Sequence, residues 1–325
     1  MQETNISKAR VFRIEGNSYF VRPLEDLATL MRCSLKGKLK NDFSLKRDKL
    51  YTTDICVVGD IVDILTNADG SGVISKVDER NNQLSRKAPR IKGASYRGER
   101  LEQVIASNID KLFVVMSFKN PEFNYKTLDR FLIAGESSGI ETIAVFNKSD
   151  LFDEDSELWY DLYKSIGYKV ISMSAKTGYG IEELEKEIHG STCLFWGSSG
   201  VGKSSILNKL HPVLDLDTNE ISEKTNRGKH TTVAVKMFTI GEDTHIIDTP
   251  GVREIEPYGI KKSDLGHYFL EFQEYISKCK YNSCTHNHEP GCGVIDALEA
   301  GELSEFRYDS YLRMLETTED DMIFK

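Results

Sequence analysis

The chain has 325 residues, of which 39% are hydrophobic and 29% are charged, a composition typical of a folded protein with roughly two or three domains. No apolar run approaches the roughly 20 residues of a membrane span, and Met1–Lys8 lacks the apolar region of a secretory signal, so we expect a cytoplasmic protein without a membrane partner. The net charge of −9 argues against nucleic-acid binding by the whole surface, but residues 1–100 carry +6 and the remainder carries −15.

The N-terminal 90 residues contain short segments of alternating apolar and polar residues, separated by Gly, Asn and Asp. Such segments predict a small β-barrel or sandwich. We expect a five-stranded barrel of the OB type, a fold that binds oligonucleotides through its loops. The predicted strands are Arg10–Glu15, Tyr19–Arg22, Thr29–Leu35, Asp54–Val58, Asp60–Leu65 and Gly72–Val77.

A basic segment lies between Arg32 and Lys49, and we predict a loop that projects from this barrel. It has seven Lys or Arg residues against two acidic residues, Asp42 and Asp48, a net charge of +5. The residues alone leave two interpretations open, an RNA-binding surface and a solvated loop without a partner.

From residue 101 onwards, strands and helices alternate, which predicts a doubly wound, largely parallel sheet with helices on both faces. The predicted strands are Leu112–Met116, Thr142–Phe146, Lys169–Met173, Thr192–Trp196, Thr232–Ile240 and Thr244–Ile247. The predicted helices are Lys126–Ser137, Glu157–Ile166, Ile181–Ile188 and Ser205–Leu210. After Pro257 the chain is predicted to be mainly helical.

The strand Thr142–Phe146 is followed by Asn147-Lys148-Ser149-Asp150, which fits the motif N-K-x-D. The carboxylate of Asp150 can accept hydrogen bonds from both N1–H and N2–H of guanine, a pairing that adenine cannot offer. Lys148 would lie along the plane of the base, and Asn147 would tie this loop to a phosphate-binding loop. These residues predict selectivity for a guanine nucleotide.

A second guanine-binding motif follows the next predicted strand, Lys169–Met173. A backbone N–H in this motif could donate a hydrogen bond to guanine O6. Its residues are Ser174, Ala175 and Lys176.

The segment between Thr192–Trp196 and Ser205–Leu210 fits the phosphate-binding motif G-x-x-x-x-G-K-[ST]. Its glycines let backbone N–H groups surround phosphate oxygens, and the N-terminus of the following helix adds a partial positive charge. Lys203 would contact the β- and γ-phosphates, and the Ser204 hydroxyl would bind Mg²⁺. The residues predicted to bind nucleotide here are Gly197, Ser198, Ser199, Gly200, Val201, Gly202, Lys203, Ser204 and Ser205.

A fourth motif, Asp248-Thr249-Pro250-Gly251, follows the apolar strand Thr244–Ile247. Asp248 would help to hold Mg²⁺. Gly251 would let a backbone N–H approach the γ-phosphate. The next residue is Val252, so the glutamine that orients the attacking water in other GTPases is absent here.

A cluster of cysteine and histidine follows in the helical C-terminal part, with the spacing Cys-x₄-Cys-x-His-x₅-Cys. Three thiolates and one imidazole suit a tetrahedral zinc site, which would be structural because no position remains for water. His288 is an alternative ligand, and reduced cysteines packed in a helical core are the other interpretation. The predicted ligands are Cys279, Cys284, His286 and Cys292; the remaining cysteines, Cys33, Cys56 and Cys193, are predicted to be packed thiols.

The motifs occur in an unusual order, with both guanine motifs before the phosphate-binding loop. This order is that of a circularly permuted GTPase domain. Together with the barrel and the Cys/His cluster, it closely resembles one family over nearly the whole chain, the circularly permuted, ribosome small-subunit-dependent GTPases of the RsgA type. Glu102–Asp110 resembles the start of the family's GTPase domain, and Arg307–Tyr311 resembles its C-terminal segment. Gly228–Thr232 resembles the first switch of that family, with Lys229 in place of the usual Arg.

The resemblance implies roles for residues of this first switch. His230 would act in hydrolysis in place of the missing glutamine, as a catalytic residue. Thr231 or Thr232 would contact the nucleotide and complete the Mg²⁺ shell, and we assign Thr232 as the second protein ligand of Mg²⁺ beside Ser204.

The resemblance also implies the domain organisation and the activity. We expect an OB-like RNA-binding barrel over residues 1–90, a permuted α/β GTPase domain over 101–255 and a helical zinc-binding domain over 256–325. The expected enzyme is a monomer that binds the small (30S) ribosomal subunit and its rRNA during late maturation. The subunit would stimulate hydrolysis of GTP to GDP and phosphate, and hydrolysis would time release.

Two other functions remain as alternatives. One is a nucleotide-gated RNA-binding scaffold whose hydrolysis is incidental, which the valine at position 252 favours. The other is a metabolic kinase, but no motif for an acceptor substrate is visible, and Asn147–Asp150 favours guanine.

Overall fold

The computed structural model describes residues 6–46, 54–88, 102–212, 235–249 and 256–318. Along the chain it has a β-barrel, an α/β domain built on a mainly parallel sheet, and a helical region that contains the Cys/His cluster. The predicted fold class is therefore confirmed. Within the described ranges, no helix combines the length and the apolar character that crossing a membrane requires.

The barrel consists of five strands in the order β1-β2-β3-β5-β4, and it is closed by pairing between β1 and β4. Alternate residues of each strand point inward, as the period of two requires, and Val11, Val21, Val62, Ile64 and Ile74 are fully buried. The strands are β1 (Ile6–Glu15), β2 (Ser18–Pro23), β3 (Met31–Leu35), β4 (Ile61–Thr66) and β5 (Gly72–Val77).

The barrel differs from the prediction in two places. The segment predicted as a basic loop contains helix α1 (Gly37–Lys46), and its last residues lie outside the described part of the chain. The predicted strand Asp54–Val58 is a series of turns, because the backbone N–H of Val57 donates to the carboxylate of Asp60 at 2.8 Å instead of joining a ladder.

A short antiparallel hairpin that the sequence did not predict follows the barrel, formed by β6 (Gln83–Lys87) and β7 (Glu102–Ser107). The fully buried Asp60 accepts hydrogen bonds from Arg80 Nε at 2.7 Å and from Ser107 Oγ at 2.6 Å. Asp60 is thereby joined to the end of β7 through a hydroxyl and to Arg80, in the connection between β5 and β6, through an ion pair.

The α/β domain has the strand order β10-β9-β8-β11-β13-β12, in which β12 is antiparallel to its neighbour and the others are parallel. The strands are β8 (Lys111–Ser117), β9 (Glu141–Asn147), β10 (Lys169–Ser172), β11 (Thr192–Trp196), β12 (Lys236–Ile240) and β13 (Thr244–Asp248). The helices are α2 (Tyr125–Ser137), α3 (Glu154–Ile166), α4 (Ile181–Ile188) and α5 (Lys203–Leu210).

Both faces of this sheet are covered, as predicted. Along β8, Leu112 and Val114 face one apolar cluster, while Phe113 and Val115 face the other. A backbone pair between Arg13 of β1 and Lys236 of β12 joins the barrel to the sheet. The barrel is therefore attached to the edge of the α/β domain.

The C-terminal region packs on one helix of the α/β domain. Its helices are α6 (Lys262–Leu265), α7 (Gln273–Ile276), α8 (Gly293–Glu299) and α9 (Glu305–Thr317). Phe269, Phe272 and Tyr311 are fully buried in its core, and Ile133 of α2 belongs to the same apolar cluster. The region therefore shares its core with the α/β domain.

Candidate functional site

The predicted nucleotide motifs meet at the carboxyl edge of the parallel strands, the edge at which open α/β sheets bind ligands. Asn147 lies at their centre and is buried. Its Nδ2 donates to the carbonyl of Val201 in the phosphate-binding loop at 2.8 Å. Its Oδ1 accepts from the backbone N–H of Ala175 at 3.0 Å. One side chain thus connects three motifs that are far apart in the chain.

Lys148 forms a second connection between the guanine motif and the phosphate-binding loop. Its backbone is left-handed, with φ of 64°. Its Nζ donates to the carbonyl of Gly200 at 2.8 Å and also to the carbonyl of Asn120, in the loop before α2. Partial burial lowers the pKa of this ammonium group.

Asp150 lies in a short helical turn directly after this lysine, and its carboxylate has two partners. Ser174 Oγ donates to Oδ1 at 2.6 Å, and Lys176 Nζ lies 3.6 Å from Oδ2. The hydrogen bond from Ser174 is the main cause that lowers the pKa of Asp150. The group is therefore ionised and can act as an acceptor at neutral pH.

These residues line a cleft of about 620 Å³. Its lining includes Asn147, Lys148 and Asp150 of the first guanine motif and Ala175 and Lys176 of the second. Its volume suits a nucleoside, because ligand clefts have volumes of about 300–1,000 Å³. The predicted guanine residues therefore share one concave site.

The phosphate-binding loop holds its lysine in place through two of its own carbonyl groups. Lys203 is buried, and its Nζ donates to the carbonyls of Gly197 and Ser198 at 2.9 and 3.0 Å. Gly202 has a φ of +99°, and a Cβ there would lie 2.2 Å from Nδ2 of Asn147. The loop therefore needs glycine at this position. Ser204 and Ser205 follow in the first turn of α5.

The two switches are only partly within the described residues. Asp248 ends β13, and the next residue, Thr249, is buried and donates from Oγ1 to the carbonyl of Phe195 at 3.3 Å. The candidate residues His230, Thr231, Thr232 and Gly251, together with Val252, lie outside the described residues. Their roles stay predictions.

The Cys/His cluster has the geometry of a tetrahedral metal site. Cys279 Sγ lies 3.9 Å from Cys292 Sγ, and His286 Nδ1 lies 3.5 and 3.4 Å from these two sulfurs. With the usual Zn–S and Zn–N lengths, a tetrahedron has S···S of about 3.8 Å and S···N of about 3.6 Å. Cys284 completes the set, in which all ligand atoms lie within 4.8 Å of one another. His288 is exposed and does not belong to this group.

Two tyrosines of the segment Arg307–Tyr311, for which the sequence predicted no role at the metal site, support this cluster. Tyr308 OH donates to the carbonyl of His286 at 2.8 Å, and Tyr311 OH donates to the carbonyl of Thr285. A Cβ at Gly266 would lie 2.9 Å from Nε2 of His286, so a larger residue there would displace the imidazole ring. The other cysteines, Cys33, Cys56 and Cys193, are buried free thiols, as predicted.

A buried ion-pair network fixes the C-terminal region to the α/β domain, and it includes an acidic residue on the apolar face of α2 for which the sequence predicted no role. This residue, Asp129, is fully buried and accepts from Arg307 Nη1 and, at 2.7 Å, from Tyr163 OH. Arg307 also donates from Nε to Glu271 Oε1 at 2.6 Å, and only 1% of its side chain is exposed.

Comparison with known proteins identifies the family. The sequence model of the RsgA GTPase family matches residues 77–257. A relative from Phocaeicola vulgatus, named small ribosomal subunit biogenesis GTPase RsgA, is 37% identical over 96% of this chain and 97% of its own. A relative of the same name from Flavobacterium psychrophilum is 38% identical over 94% of this chain and 91% of its own.

Solved structures agree with this assignment. YjeQ from Thermotoga maritima superposes with a TM-score of 0.74 and 31% identity, over 96% of this chain and 98% of its own. YloQ, described as a circularly permuted GTPase, has a TM-score of 0.69 and 26% identity, over 98% of this chain and 96% of its own. The predicted permutation has its counterpart in that structure. The chain belongs to the RsgA GTPase family and is a GTP-hydrolysing enzyme.

Proposed function

We propose that this GTPase binds the small (30S) ribosomal subunit during late maturation, and that the subunit stimulates hydrolysis of GTP to GDP and phosphate, which times release. The observation that carries the proposal is the assembled guanine and phosphate site in a chain that matches, over 96% of its length, a relative named for small-subunit biogenesis. The site alone would support only nucleotide binding; the role in small-subunit maturation rests on the relative.

We propose that Asp150 recognises guanine through N1–H and N2–H, while a backbone N–H of Ser174–Lys176 donates to O6. The ionised state of Asp150 supports this role, because a carboxylate accepts both donors. Lys148 would cover the base, and its hydrogen bond to the carbonyl of Gly200 would fix the guanine motif to the phosphate-binding loop.

At the phosphate end, Lys203 would exchange its two carbonyl contacts for oxygens of the β- and γ-phosphates. Ser204 and Thr232 would hold Mg²⁺, with Asp248 nearby, and this ion would neutralise charge that develops on the phosphates. His230 would orient the attacking water, a task for which Val252 has no suitable group.

The barrel would contact rRNA, and the C-terminal region would hold a structural zinc ion. Arg32, Lys36, Lys38 and Lys40 are all exposed on one segment of the barrel, which supports binding to a phosphate backbone. A set of three sulfurs and one nitrogen within 4.8 Å of one another supports zinc. The same proposal includes a monomeric state and a cytoplasmic location. It also includes three domains, with the boundaries 1–90, 101–255 and 256–325.

Sedimentation with purified small subunits tests the binding step. We expect the protein to sediment with subunits when a non-hydrolysable GTP analogue is bound and to be released with GDP. Binding should weaken steeply with added salt, because Lys and Arg contacts release counterions. Replacing Lys36, Lys38 and Lys40 by Glu should weaken binding further, whereas replacing the exposed Lys164, on the α/β domain, by Glu should not.

The scaffold alternative, which Val252 favours, gives a different result in a second assay. A scaffold would show nucleotide-dependent binding to the subunit, but GTP turnover that the subunit does not change. Absence of binding in every nucleotide state would contradict both interpretations.

A further inference from the structure

Helix α9 of the C-terminal region holds the first turn of α2 through a carboxylate. Asp309 Oδ2 accepts from Tyr125 OH at 2.9 Å and lies 3.2 Å from Lys126 Nζ. The Tyr125 ring also stacks on Trp159, with 5.3 Å between ring centroids, and packs edge-on against Phe306 at 5.4 Å. The start of α2 is therefore fixed by polar and aromatic contacts to α9.

A second contact fixes the next turn of α2. Asp129 and Arg307 are both fully buried, so neither charge can be solvated by water if the pair separates. Removing one partner of such a pair leaves an uncompensated buried charge, which is strongly unfavourable. Glu271 holds the other side of the guanidinium with two hydrogen bonds, at 2.6 and 3.1 Å. The position of α9 against α2 is thus well defined.

The loop that leads into α2 contacts the guanine motif of the nucleotide site. Lys148 of the guanine motif donates to the carbonyl of Asn120 in this loop and to that of Gly200 in the phosphate-binding loop. The side chain of Asn124 ends the loop by accepting from the backbone N–H of Thr127, in the first turn of α2. Only four residues separate Asn120 from Tyr125, so displacement of the first turn must move the carbonyl that holds Lys148.

We infer that Asp309 and Arg307 are positioning residues of the nucleotide site. By holding the first two turns of α2, they fix the position of the Asn120 carbonyl. This carbonyl accepts a hydrogen bond from Lys148 of the guanine motif. The metal-containing region is then a support for nucleotide binding as well as a separate module. This inference rests on the GTPase activity of the family and does not depend on the proposed ribosomal partner.

Coupling of this kind is reciprocal, because two binding equilibria that affect one another do so by the same factor. Contacts between α9 and α2 strengthen guanine-nucleotide binding. Bound nucleotide must then strengthen the docking of α9 on α2. A residue that only stabilises the fold does not change the affinity for nucleotide at a temperature at which the protein is fully folded.

Titration of the full-length, metal-loaded protein with fluorescent GDP tests the inference. Replacing Asp309 by Ala should raise the Kd for GDP by about five- to tenfold, a moderate coupling. Tyr125→Phe removes a single hydroxyl and should raise the Kd by a smaller factor. Asp309→Asn keeps an oxygen that accepts from Tyr125 OH and should recover most of the affinity.

The matched control is Arg313→Ala. Arg313 is exposed and pairs with Asp309 within α9 at 3.0 Å, so its removal leaves the contacts to α2 in place and should not change the Kd. Hydrogen exchange of α9 amides should slow when GDP binds to the unmodified protein, and the effect should be smaller in Asp309→Ala.

Unchanged GDP affinity in Asp309→Ala and Tyr125→Phe, with faster exchange in α9, would overturn the inference and leave these residues a purely structural role. If Asp309→Ala loses its metal or unfolds, the Kd of Tyr125→Phe for GDP alone tests the inference. Failure of the unmodified protein to bind GDP would instead contradict the guanine-nucleotide site itself.

Discussion

The Nδ2 atom of Asn147 donates a hydrogen bond of 2.8 Å to the carbonyl oxygen of Val201, which joins the guanine motif to the phosphate-binding loop. The two residues are 54 positions apart, in the reverse of the usual order of these motifs. Because the site is made by strands that are neighbours in the sheet, β8, β9 and β11 bring the motifs together whichever one comes first in the chain. The permutation therefore changes the connections between strands and leaves the site unchanged.

Asp150→Asn should weaken GTP binding and favour xanthine nucleotides. The carboxylate accepts two donors from guanine, whereas an amide would leave one of them unpaired and could donate to the C2 carbonyl of xanthine. The loss of a charged hydrogen bond should raise the Kd for GTP by about 10- to 100-fold. Competition titrations with GTP and XTP measure both effects, and unchanged preference for GTP would remove Asp150 from the site.

The Cys/His cluster should bind one zinc ion per chain. Cys284→Ser should lose the metal and destabilise the C-terminal region, because the free energy of metal binding also contributes to the free energy of folding. His288→Ala provides the control, since His288 is exposed and should leave the metal content unchanged. Elemental analysis of both variants measures this, and metal retained by Cys284→Ser would contradict the assigned ligands.

Arg307→Ala should lower the free energy of unfolding by about 3–5 kcal/mol, because it leaves the buried Asp129 unpaired. Replacing Arg307 by Met and Asp129 by Leu together should cost less than the single change, since only the partly exposed Glu271 then loses its charged partner. Urea unfolding followed by tryptophan fluorescence measures the difference. A double variant as unstable as the sum of the two single variants would show that the pair does not interact.

Features that arise from residues close together in the sequence could be predicted, whereas contacts between distant residues could not. The site motifs follow strands with continuous apolar runs, so Asn147 and Lys203 could be placed at a sheet edge from local patterns. The pair Asp129 and Arg307 is separated by 178 residues and has no local pattern. Helix α1 was predicted as a loop because its charged residues show no apolar stripe, which is the primary signal for a helix.

Acidification should destabilise the joint between the barrel and the α/β domain. Burial, together with the positive charges of the nearby Arg10 and Arg22, lowers the pKa of His245 from 6.5 to about 4. The ring packs edge-on against Phe12 of β1, with 5.7 Å between ring centroids. Between pH 6.5 and 4 the unfolded chain protonates this histidine and the folded protein does not, so the stability falls as the pH decreases through this window.

His245→Gln isolates this contribution, because its amide can keep a hydrogen bond to Thr239 Oγ1 and does not titrate. The unmodified protein should lose about 2 kcal/mol more than the variant between pH 7 and pH 4.5. Unfolding curves at several pH values measure the difference, and parallel curves for the two proteins would show that His245 is not the group responsible.

GTP turnover with and without purified small subunits tests the proposed function most directly. The rate without subunits should be slow, on the order of 10⁻⁴–10⁻² s⁻¹, because Val252 cannot orient water. Saturating subunits should raise it by more than about tenfold, and His230→Ala should bind GTP nearly as well while its stimulated rate falls by roughly 10²-fold. Equal rates with and without saturating small subunits would contradict the proposal that the subunit stimulates this enzyme.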